Sequence, residues 1–170
     1  EKKYNISNKI IFNGVDFPKF SQKKSNILSN QIVSIGALNS NKNQACLIRE
    51  FNLIRSYIGA DLHIIGAGDD ERKLKALINE LNLNDRVFLL GQKSQQWIQK
   101  NLCKYDLFVQ ASYSEGLGIA AIEASASCVP LLLSNTDGHI EVTKNGLLGE
   151  LFDPNKDNDL GKKILKFYEN

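Results

Sequence analysis

Short apolar runs alternate along this chain with longer segments in which apolar residues recur every three or four positions. The short runs predict buried strands at residues 31–36, 61–66, 86–90, 106–110, 129–133 and 149–152. The longer segments have the spacing of helices with one buried face, at residues 42–57, 70–81, 94–103, 117–126 and 157–168. Asp69 or Asp70 is the expected cap of the second helix, and Ser94 that of the third.

The regular order of strand and helix indicates parallel strands, because each connection must cross a face of the sheet before the next strand begins. Segments 62–65 and 131–133 are apolar on both sides, as in a sheet covered by helices on both faces. The predicted fold class is therefore α/β, a doubly wound Rossmann-like parallel sheet of about six strands. Residues 1–30 do not follow the alternation, which predicts a linker at 1–30 and one domain at 31–170.

Composition narrows the range of functions. The 170 residues suit one domain, and 21 basic against 19 acidic residues leave a formal charge of only +2. A charge this small attracts no polyanion over a distance, so no nucleic-acid partner is expected. No apolar run of the sequence reaches the length of a membrane span. Three widely spaced cysteines, Cys46, Cys103 and Cys128, are interpreted as reduced core thiols.

The loop after the fourth predicted strand carries the richest chemistry. Gly116 and Gly118 precede a helix whose amino end supplies free N–H groups and partial positive charge, as phosphate sites require. Glu115 and Glu123 flank this point and could bind hydroxyl groups on either side of a diphosphate. The alternative is a surface residue at Glu115 and a solvent-facing helix residue at Glu123. The sequence pattern alone favours neither.

A second loop, Gly36 to Lys42, places one lysine beside a helix amino end, where a cation suits a phosphate ligand. The alternative is a solvated lysine in a polar loop. The segment from Gly66 to Gly68 lacks the third glycine of a dinucleotide fingerprint and is interpreted as a turn.

The remaining polar residues favour ordinary structural roles. The pair Asp157 and Asp159 precedes a helix, where capping is a better interpretation than metal binding. His63 is expected in the core, and Trp97 is expected to pack rather than stack on a ligand. His139 lies in a loop predicted at 137–141, at the binding end of the sheet, but no nucleophile accompanies it.

Together these segments resemble the carboxyl-terminal half of group 1 glycosyltransferases, a family of retaining enzymes with two-domain GT-B architecture. The strongest marker is Ser114 to Ala124, which contains Glu115 and Glu123 on either side of seven residues. The resemblance covers nearly the whole chain. Its other markers are 13–16 and Phe20 at the interdomain segment, 36–42, 65–68, 86–91, Pro130, Gly138, Glu141, Gly146 and Gly149.

The resemblance implies roles for particular residues. Glu115, the expected catalytic residue, would contact donor-sugar hydroxyls, and Glu123 would contact the ribose diol. The other expected donor-binding residues are Gly36, Lys42, Gly91, Lys93, Gly116, Leu117, Gly118 and Ile119. Of these, Lys42 and the amides of 116–119 would bind the diphosphate, while Gly91 and Lys93 would face the base. A nucleotide diphosphate sugar is the implied donor substrate, with no cofactor and no metal.

Two departures from the family pattern affect these expectations. The family usually has an Arg directly after the glycine of the first strand, paired with the Lys on the diphosphate; this position is Ala37 here, so one of two cations is lost. Residues 127–129, Ser-Cys-Val, replace the small Cys-Gly turn that is usual in the family.

The resemblance also implies a missing amino-terminal acceptor domain, in agreement with a chain that starts on Glu1 without Met. The fragment is expected to bind donor without turnover. The whole protein would be cytoplasmic, acting in cell-surface polysaccharide synthesis at the inner membrane face through its missing half. Alternatives are a sugar-nucleotide epimerase of the same architecture and a degenerate binding domain. A dehydrogenase is disfavoured, because no acidic residue ends the second predicted strand.

Overall fold

A computed structural model describes residues 14–23 and 28–169, which contain one six-stranded sheet. Its strands are β1 (Gln31–Ile35), β2 (Asp61–Ile65), β3 (Val87–Leu89), β4 (Leu107–Gln110), β5 (Leu131–Ser134) and β6 (Glu150–Phe152). All strand pairs are parallel, in the order β3-β2-β1-β4-β5-β6. The predicted doubly wound α/β class is confirmed.

Six α-helices connect or follow the strands. They are α1 (Gln44–Ile54), α2 (Glu71–Glu80), α3 (Gln95–Asn101), α4 (Ile119–Ala126), α5 (Asp137–Val142) and α6 (Asp159–Glu169). Ser94 caps α3 as predicted, since its hydroxyl accepts a hydrogen bond from the Trp97 amide at 3.2 Å. Asp70 precedes α2 but makes no side-chain cap; its carboxylate instead forms an ion pair with Lys73.

The core has one layer on each face of the sheet, because successive strand residues point to opposite sides. On β1, Ile32 packs with α1 and α6, while its neighbour Val33 packs with α3 and α4. On β4, Phe108 lies in the same layer as Val33, and the flanking residues Leu107 and Val109 lie in the other. Both layers exclude water almost completely, which explains why the strands are apolar on both sides.

The strand order reverses direction between β1 and β4, and this point determines where a ligand fits. From β1 the chain runs outward to β2 and β3, then returns to place β4 on the other side of β1. The loops after β1 and β4 therefore diverge to opposite faces and leave a crevice between them.

Part of the predicted linker lies against the domain. Phe20 is buried in the α3 layer, and the backbone amide of Ser21 donates a hydrogen bond to the Gln99 carbonyl at 2.8 Å. Lys23 forms a 2.9 Å ion pair with Asp106, which is fully buried. Residues 1–13 and 24–27, including Asn13 of the interdomain markers, lie outside the described residues, so the linker at 1–30 stays a prediction.

Two further sequence expectations are wrong. Residues 137–142 form α5 rather than a loop, and the buried His139 lies on this helix. The cysteines are free as expected, but none belongs to the buried core: Cys46 and Cys103 are half-buried, and Cys128 is exposed with a φ of 56°.

Candidate functional site

Two adjoining cavities occupy the crevice at the carboxyl ends of β1 and β4. The larger has a volume of about 470 Å³ and the smaller about 310 Å³, and they share Ile35, Gly36 and Ala37 as a common wall. The larger cavity is also lined by Lys42, Gln110, Glu115 and residues 116–120. The smaller is lined by residues that include Gly66, Lys93, Gln95 and Glu123. The two carboxylates found by spacing thus line neighbouring halves of one cleft.

Lys42 and Glu115 form an ion pair across the larger cavity. Their side chains are 20% and 14% exposed, so both charges are largely withdrawn from water and each depends on the other. Gln110 and Ser112 donate further hydrogen bonds to the same carboxylate oxygen of Glu115, at 3.2 and 3.3 Å. The interpretation of Lys42 as a solvated loop residue is therefore wrong.

Asn41 joins the two loops that carry this ion pair. Its side-chain amide donates to the Ser114 carbonyl at 2.9 Å, and its side-chain oxygen accepts from the Ser114 amide at 3.1 Å. The Tyr113 amide also donates to the Asn41 carbonyl at 2.8 Å. These contacts place Lys42, the next residue, opposite Glu115 although the two are far apart in sequence.

The amino end of α4 faces the larger cavity. The helix begins at Ile119, and no side chain caps its amino end. Gly118 takes a φ of 68°, a left-handed conformation that favours glycine, to turn the chain into the helix. Residues Gly116, Leu117, Gly118 and Ile119 all line the cavity, so the predicted phosphate seat has the polarity and position that an anion requires.

Glu123 lies on α4 and lines the smaller cavity. It is only 8% exposed, so the alternative of a solvent-facing helix residue is wrong. The Gln95 side-chain amide donates a hydrogen bond to the Glu123 carboxylate, a contact that the sequence did not reveal. Lys93 lines the same cavity, with its ammonium 5.6 Å from the centre of the Trp97 ring. A carboxylate held by one neutral donor keeps acceptor capacity for ligand hydroxyl groups.

Glycines at 66 and 68 hold the loops after β1 and β2 together. A side-chain carbon at Gly66 would lie 1.9 Å from the Gly36 carbonyl oxygen, and one at Gly68 would lie 2.4 Å from that of Leu38. The Leu38 amide donates to the Ala67 carbonyl at 3.0 Å across this contact. The sequence interpretation of a simple turn missed this close approach between backbones.

Two predicted site positions differ in their surroundings. Gly91 takes a φ of 68°, its carbonyl accepts a hydrogen bond from the Gly66 amide, and it lines neither cavity. Ala37 is exposed and lines both cavities, where a longer side chain would reach either one. Among the described lining residues of the larger cavity, Lys42 is the one cation.

His139 lies beneath the Glu115 loop. It is fully buried, and its Nδ1 lies 3.0 Å from the Ser134 carbonyl oxygen. Burial lowers the pKa of His139 below its usual value, and the nearby Lys42 lowers it further, whereas the Ser134 carbonyl and Glu115 oppose this. Its Nε2 is 3.9 Å from Glu115 Oε2. His139 lines neither cavity.

The other polar candidates are structural. His63 is half-buried, and its Nδ1 lies 3.1 Å from the Tyr105 hydroxyl. Asp159 begins α6 and accepts a 3.0 Å hydrogen bond from the Asp153 amide. Trp97 packs against the α3 layer of the core. Over residues 14–23 and 28–169, no group of three or more His, Cys, Asp or Glu is arranged to hold a metal ion. Within the same ranges, no helix is long and apolar enough to cross a membrane.

Comparison with known proteins defines the family to which this fold and cleft belong. The family described as glycosyl transferases group 1 matches residues 16–170. The chain therefore belongs to the group 1 glycosyltransferase family, whose members have GT-B architecture.

Two of the relatives that this chain resembles are bacterial glycosyltransferases. The O-antigen biosynthesis glycosyltransferase WbnH of Escherichia coli is 31% identical over 162 residues, which are 95% of this chain and 44% of that protein. The N-acetylgalactosamine-N,N'-diacetylbacillosaminyl-diphospho-undecaprenol 4-alpha-N-acetylgalactosaminyltransferase of Campylobacter jejuni is 31% identical over 155 residues, which are 89% of this chain and 41% of that enzyme. The chain thus spans less than half the length of these relatives.

A solved structure gives a similar result. A mutant of TarM from S. aureus, crystallised with fondaparinux, alpha-GlcNAc-glycerol and UDP, superposes with a TM-score of 0.82 at 27% sequence identity. The match covers 99% of this chain and 34% of that protein.

Proposed function

We propose that this chain is the donor-binding half of a retaining glycosyltransferase that transfers a sugar from a nucleotide diphosphate sugar to a saccharide or lipid-linked acceptor. The observation that carries the proposal is the placement of Glu115 and Glu123 in two joined cavities on either side of the uncapped amino end of α4. In this arrangement the helix terminus in the middle can bind an anion, and the carboxylate at each end can accept hydrogen bonds from hydroxyl groups. A nucleoside diphosphate sugar has the same sequence of groups: ribose, diphosphate, sugar.

The cleft supplies what the departing diphosphate needs. As the glycosidic bond breaks, negative charge accumulates on the diphosphate, and preorganised donors at that point lower the barrier. Lys42 and the backbone amides of 116–119 are the groups in position to take this role. Because these groups are supplied by the protein itself, the proposed reaction does not require a metal ion, and no cofactor is needed.

The carboxylates distinguish the two ends of the ligand. Glu123, with Gln95 bound to one of its oxygens, is the proposed partner of the ribose diol, and Lys93 lies near the position expected for the base. Glu115 is the proposed partner of the donor-sugar hydroxyls. In this arrangement Glu115 contacts the sugar, and the proposal includes no covalent bond between them.

The acceptor-binding half is proposed to lie outside this sequence. The relatives are more than twice as long as the segment they share with this chain. We therefore expect the chain to bind a donor without transferring its sugar. The proposed setting of the whole protein is the cytoplasm, with peripheral association at the inner membrane face through the missing half and a role in polysaccharide synthesis.

The rival functions make different demands on the cleft. An epimerase would need acid and base groups beside the sugar, but His139, one of the two local candidates, is fully buried and lines neither cavity. A degenerate binding domain is made credible by Ala37, which leaves Lys42 as the cation of the larger cavity among the described lining residues. The degenerate domain is favoured if the natural full-length protein is inert and its Ala37→Arg variant binds the donor more tightly.

Calorimetric titration tests the proposal directly. The chain is titrated with UDP, GDP, ADP and their common sugar conjugates, and the best ligand is repeated with Glu123→Ala, Lys42→Ala and the exposed control Glu80→Ala. Saturable binding of one nucleotide, weakened by both cleft variants and unchanged in the control, is the expected result. Absence of saturation with every nucleotide at about 5 mM, a concentration that detects even millimolar affinity, would contradict donor binding by this chain.

A further inference from the structure

The buried imidazole of His139 is held in one tautomer by its surroundings. Its Nδ1 lies 3.0 Å from the Ser134 carbonyl oxygen, which can only accept a hydrogen bond, so Nδ1 must carry the proton. The Ser134 hydroxyl also lies 3.1 Å from Nδ1, but it donates its own proton to the Ser112 carbonyl at 2.6 Å. In the neutral ring, therefore, Nε2 carries only a lone pair.

This lone pair points toward a carboxylate that it cannot bind. Nε2 is buried and has no hydrogen-bond partner among the described residues, and Glu115 Oε2 lies 3.9 Å from it. Two acceptors facing each other repel, and the contact persists in the ligand-free protein because Lys42 neutralises Glu115 from the other side. Protonation of Nε2 would turn this repulsion into a charge-assisted hydrogen bond after a movement of about 1 Å.

A diphosphate in the larger cavity would change this balance. Lys42 is the cation that faces the uncapped end of α4, so a bound diphosphate competes with Glu115 for its ammonium group. Glu115 would then keep only the neutral donors Gln110 and Ser112, beside a new negative charge. An ionised carboxylate at 14% exposure with no cation is unfavourable, so another positive charge near Glu115 becomes stabilising.

We propose that His139 takes up a proton at Nε2 when a diphosphate draws Lys42 away from Glu115, and that the resulting imidazolium then holds Glu115 in place. The proton comes from solvent and binds the Nε2 lone pair, while Nδ1 keeps its own proton, so the bound ring carries one positive charge. His139 is in this sense a positioning residue: it acts on Glu115 and does not itself touch the donor. The inference rests on the proposed binding of a nucleotide diphosphate to this cleft.

The groups around the ring support a proton uptake of this sign. Glu115 faces it from the loop after β4 and raises its pKa, whereas Lys42 faces it from the loop after β1 and lowers its pKa. Strand β5 contributes the neutral Ser134, and the amino end of α4 contributes the backbone of Gly118, where a side-chain carbon would lie 3.1 Å from the ring. Burial, the largest cause of the lowered pKa of His139, is unchanged when phosphate binds, but neutralising Lys42 removes a second lowering influence and leaves the raising influences of Glu115 and the Ser134 carbonyl.

Imidazole NMR on the unaltered chain tests the inference without a mutation in the site. The sequence has two histidines, so removal of His63 in a His63→Gln variant assigns both signals. The His139 nitrogens are followed between about pH 5.5 and 8.5, with and without saturating UDP. The expected result is a neutral ring with protonated Nδ1 in the free chain, and a midpoint at least about one pH unit higher with UDP, while His63 changes little.

Calorimetry supplies the thermodynamic readout. Proton uptake makes UDP bind about tenfold more tightly at low pH than at high pH for a one-unit shift, and the apparent enthalpy then depends on the ionisation enthalpy of the buffer. UDP itself has a phosphate that titrates at about pH 6, so the same measurement is made on His139→Gln, and only the difference between the two proteins is interpreted. The variant is expected to lose that extra pH dependence.

Each outcome is decisive. UDP binding with a His139 ring that stays neutral throughout, or with equal pH dependence in both proteins, overturns the inference and leaves the donor site intact. Absence of UDP binding in the unaltered chain at about 5 mM overturns the proposed UDP site and the inference together. If His139→Gln fails to fold, the NMR titration of the unaltered chain still decides the question.

Discussion

Replacing Lys42 by Met removes the cation of the larger cavity while keeping its aliphatic stem, which lies over Gly36. Hydrogen bonds to charged groups contribute about 1.5–3 kcal/mol, so the lost contact with a diphosphate predicts a decrease in UDP affinity of about 10- to 150-fold. Glu115 loses its partner at the same time and would face the bound phosphate. At a separation of about 6 Å and an effective dielectric constant of about 20, that repulsion adds up to about 3 kcal/mol.

The double variant Lys42→Met with Glu115→Gln separates these two effects. UDP contains ribose but lacks the donor sugar, so the amide at position 115 gives up no proposed donor-sugar contact, while the repulsion disappears. We therefore expect the double variant to bind UDP more tightly than Lys42→Met, although less tightly than the unaltered chain. Thermal unfolding should show the same order, because Lys42→Met leaves a largely buried carboxylate unpaired.

The matched control is Lys163→Met. Lys163 forms a 2.8 Å ion pair with Glu150, and its side chain is 24% exposed, close to the 20% of Lys42, but it lies on α6 away from the cleft. Calorimetric titration of all four proteins with UDP gives the comparison. The reasoning is refuted if Lys42→Met binds like the control, or if Glu115→Gln in the Lys42→Met background weakens binding further.

Three other substitutions have calculable effects. Ala37→Arg should strengthen UDP binding about tenfold, because the free energy of one added charge-assisted contact exceeds the entropic cost of ordering a long side chain. Equal calorimetric affinities of the variant and the unaltered chain would count against a phosphate beside Ala37. Cys128→Gly should raise the free energy of unfolding by about 1 kcal/mol, because Cys128 has a φ of 56°, a left-handed conformation that is strained for any residue except glycine. Urea unfolding measures this free energy, and a lower value in the variant would contradict the strain at Cys128. Gly68→Ala should lower the free energy of unfolding by more than about 2 kcal/mol, since its new carbon would lie 2.4 Å from a backbone oxygen. The control is Gly59→Ala, whose new carbon has its nearest contact at 4.0 Å. Similar urea midpoints for the two variants would contradict the close approach.

The sheet was predictable because each strand carries its own signal. Strands β1, β4 and β5 are buried on both faces, so their apolar residues are consecutive and are bounded by glycine or polar residues. Helix α5 was not predictable in the same way. It has only six residues, includes Gly138, and depends on tertiary contact: a side-chain carbon at Gly138 would lie 2.5 Å from the Glu115 carbonyl oxygen. Such a helix has no periodic apolar face to detect.

The site was predictable where its residues are close in sequence and not where they meet through folding. Glu115 and Glu123 flank one helix start, so their spacing and the intervening glycines raised a shared ligand as one of two interpretations, and the resemblance to the family favoured it. The contact of Gln95 with Glu123, and that of Asn41 with Ser114, join segments with no local pattern in common. Sequence spacing contains no information on such pairs, because the sheet order brings them together.

The central claim is that the amino end of α4 and the loop after β1 hold a nucleotide diphosphate. Backbone amide NMR with and without UDP tests it most directly, because each amide reports on its own surroundings. The account predicts the largest shifts at 116–119 and 36–42, with little change at Gly59 and Asp85, which precede β2 and β3 at the opposite end of the sheet. Saturable shifts confined to another surface, with those two segments unchanged, would contradict it.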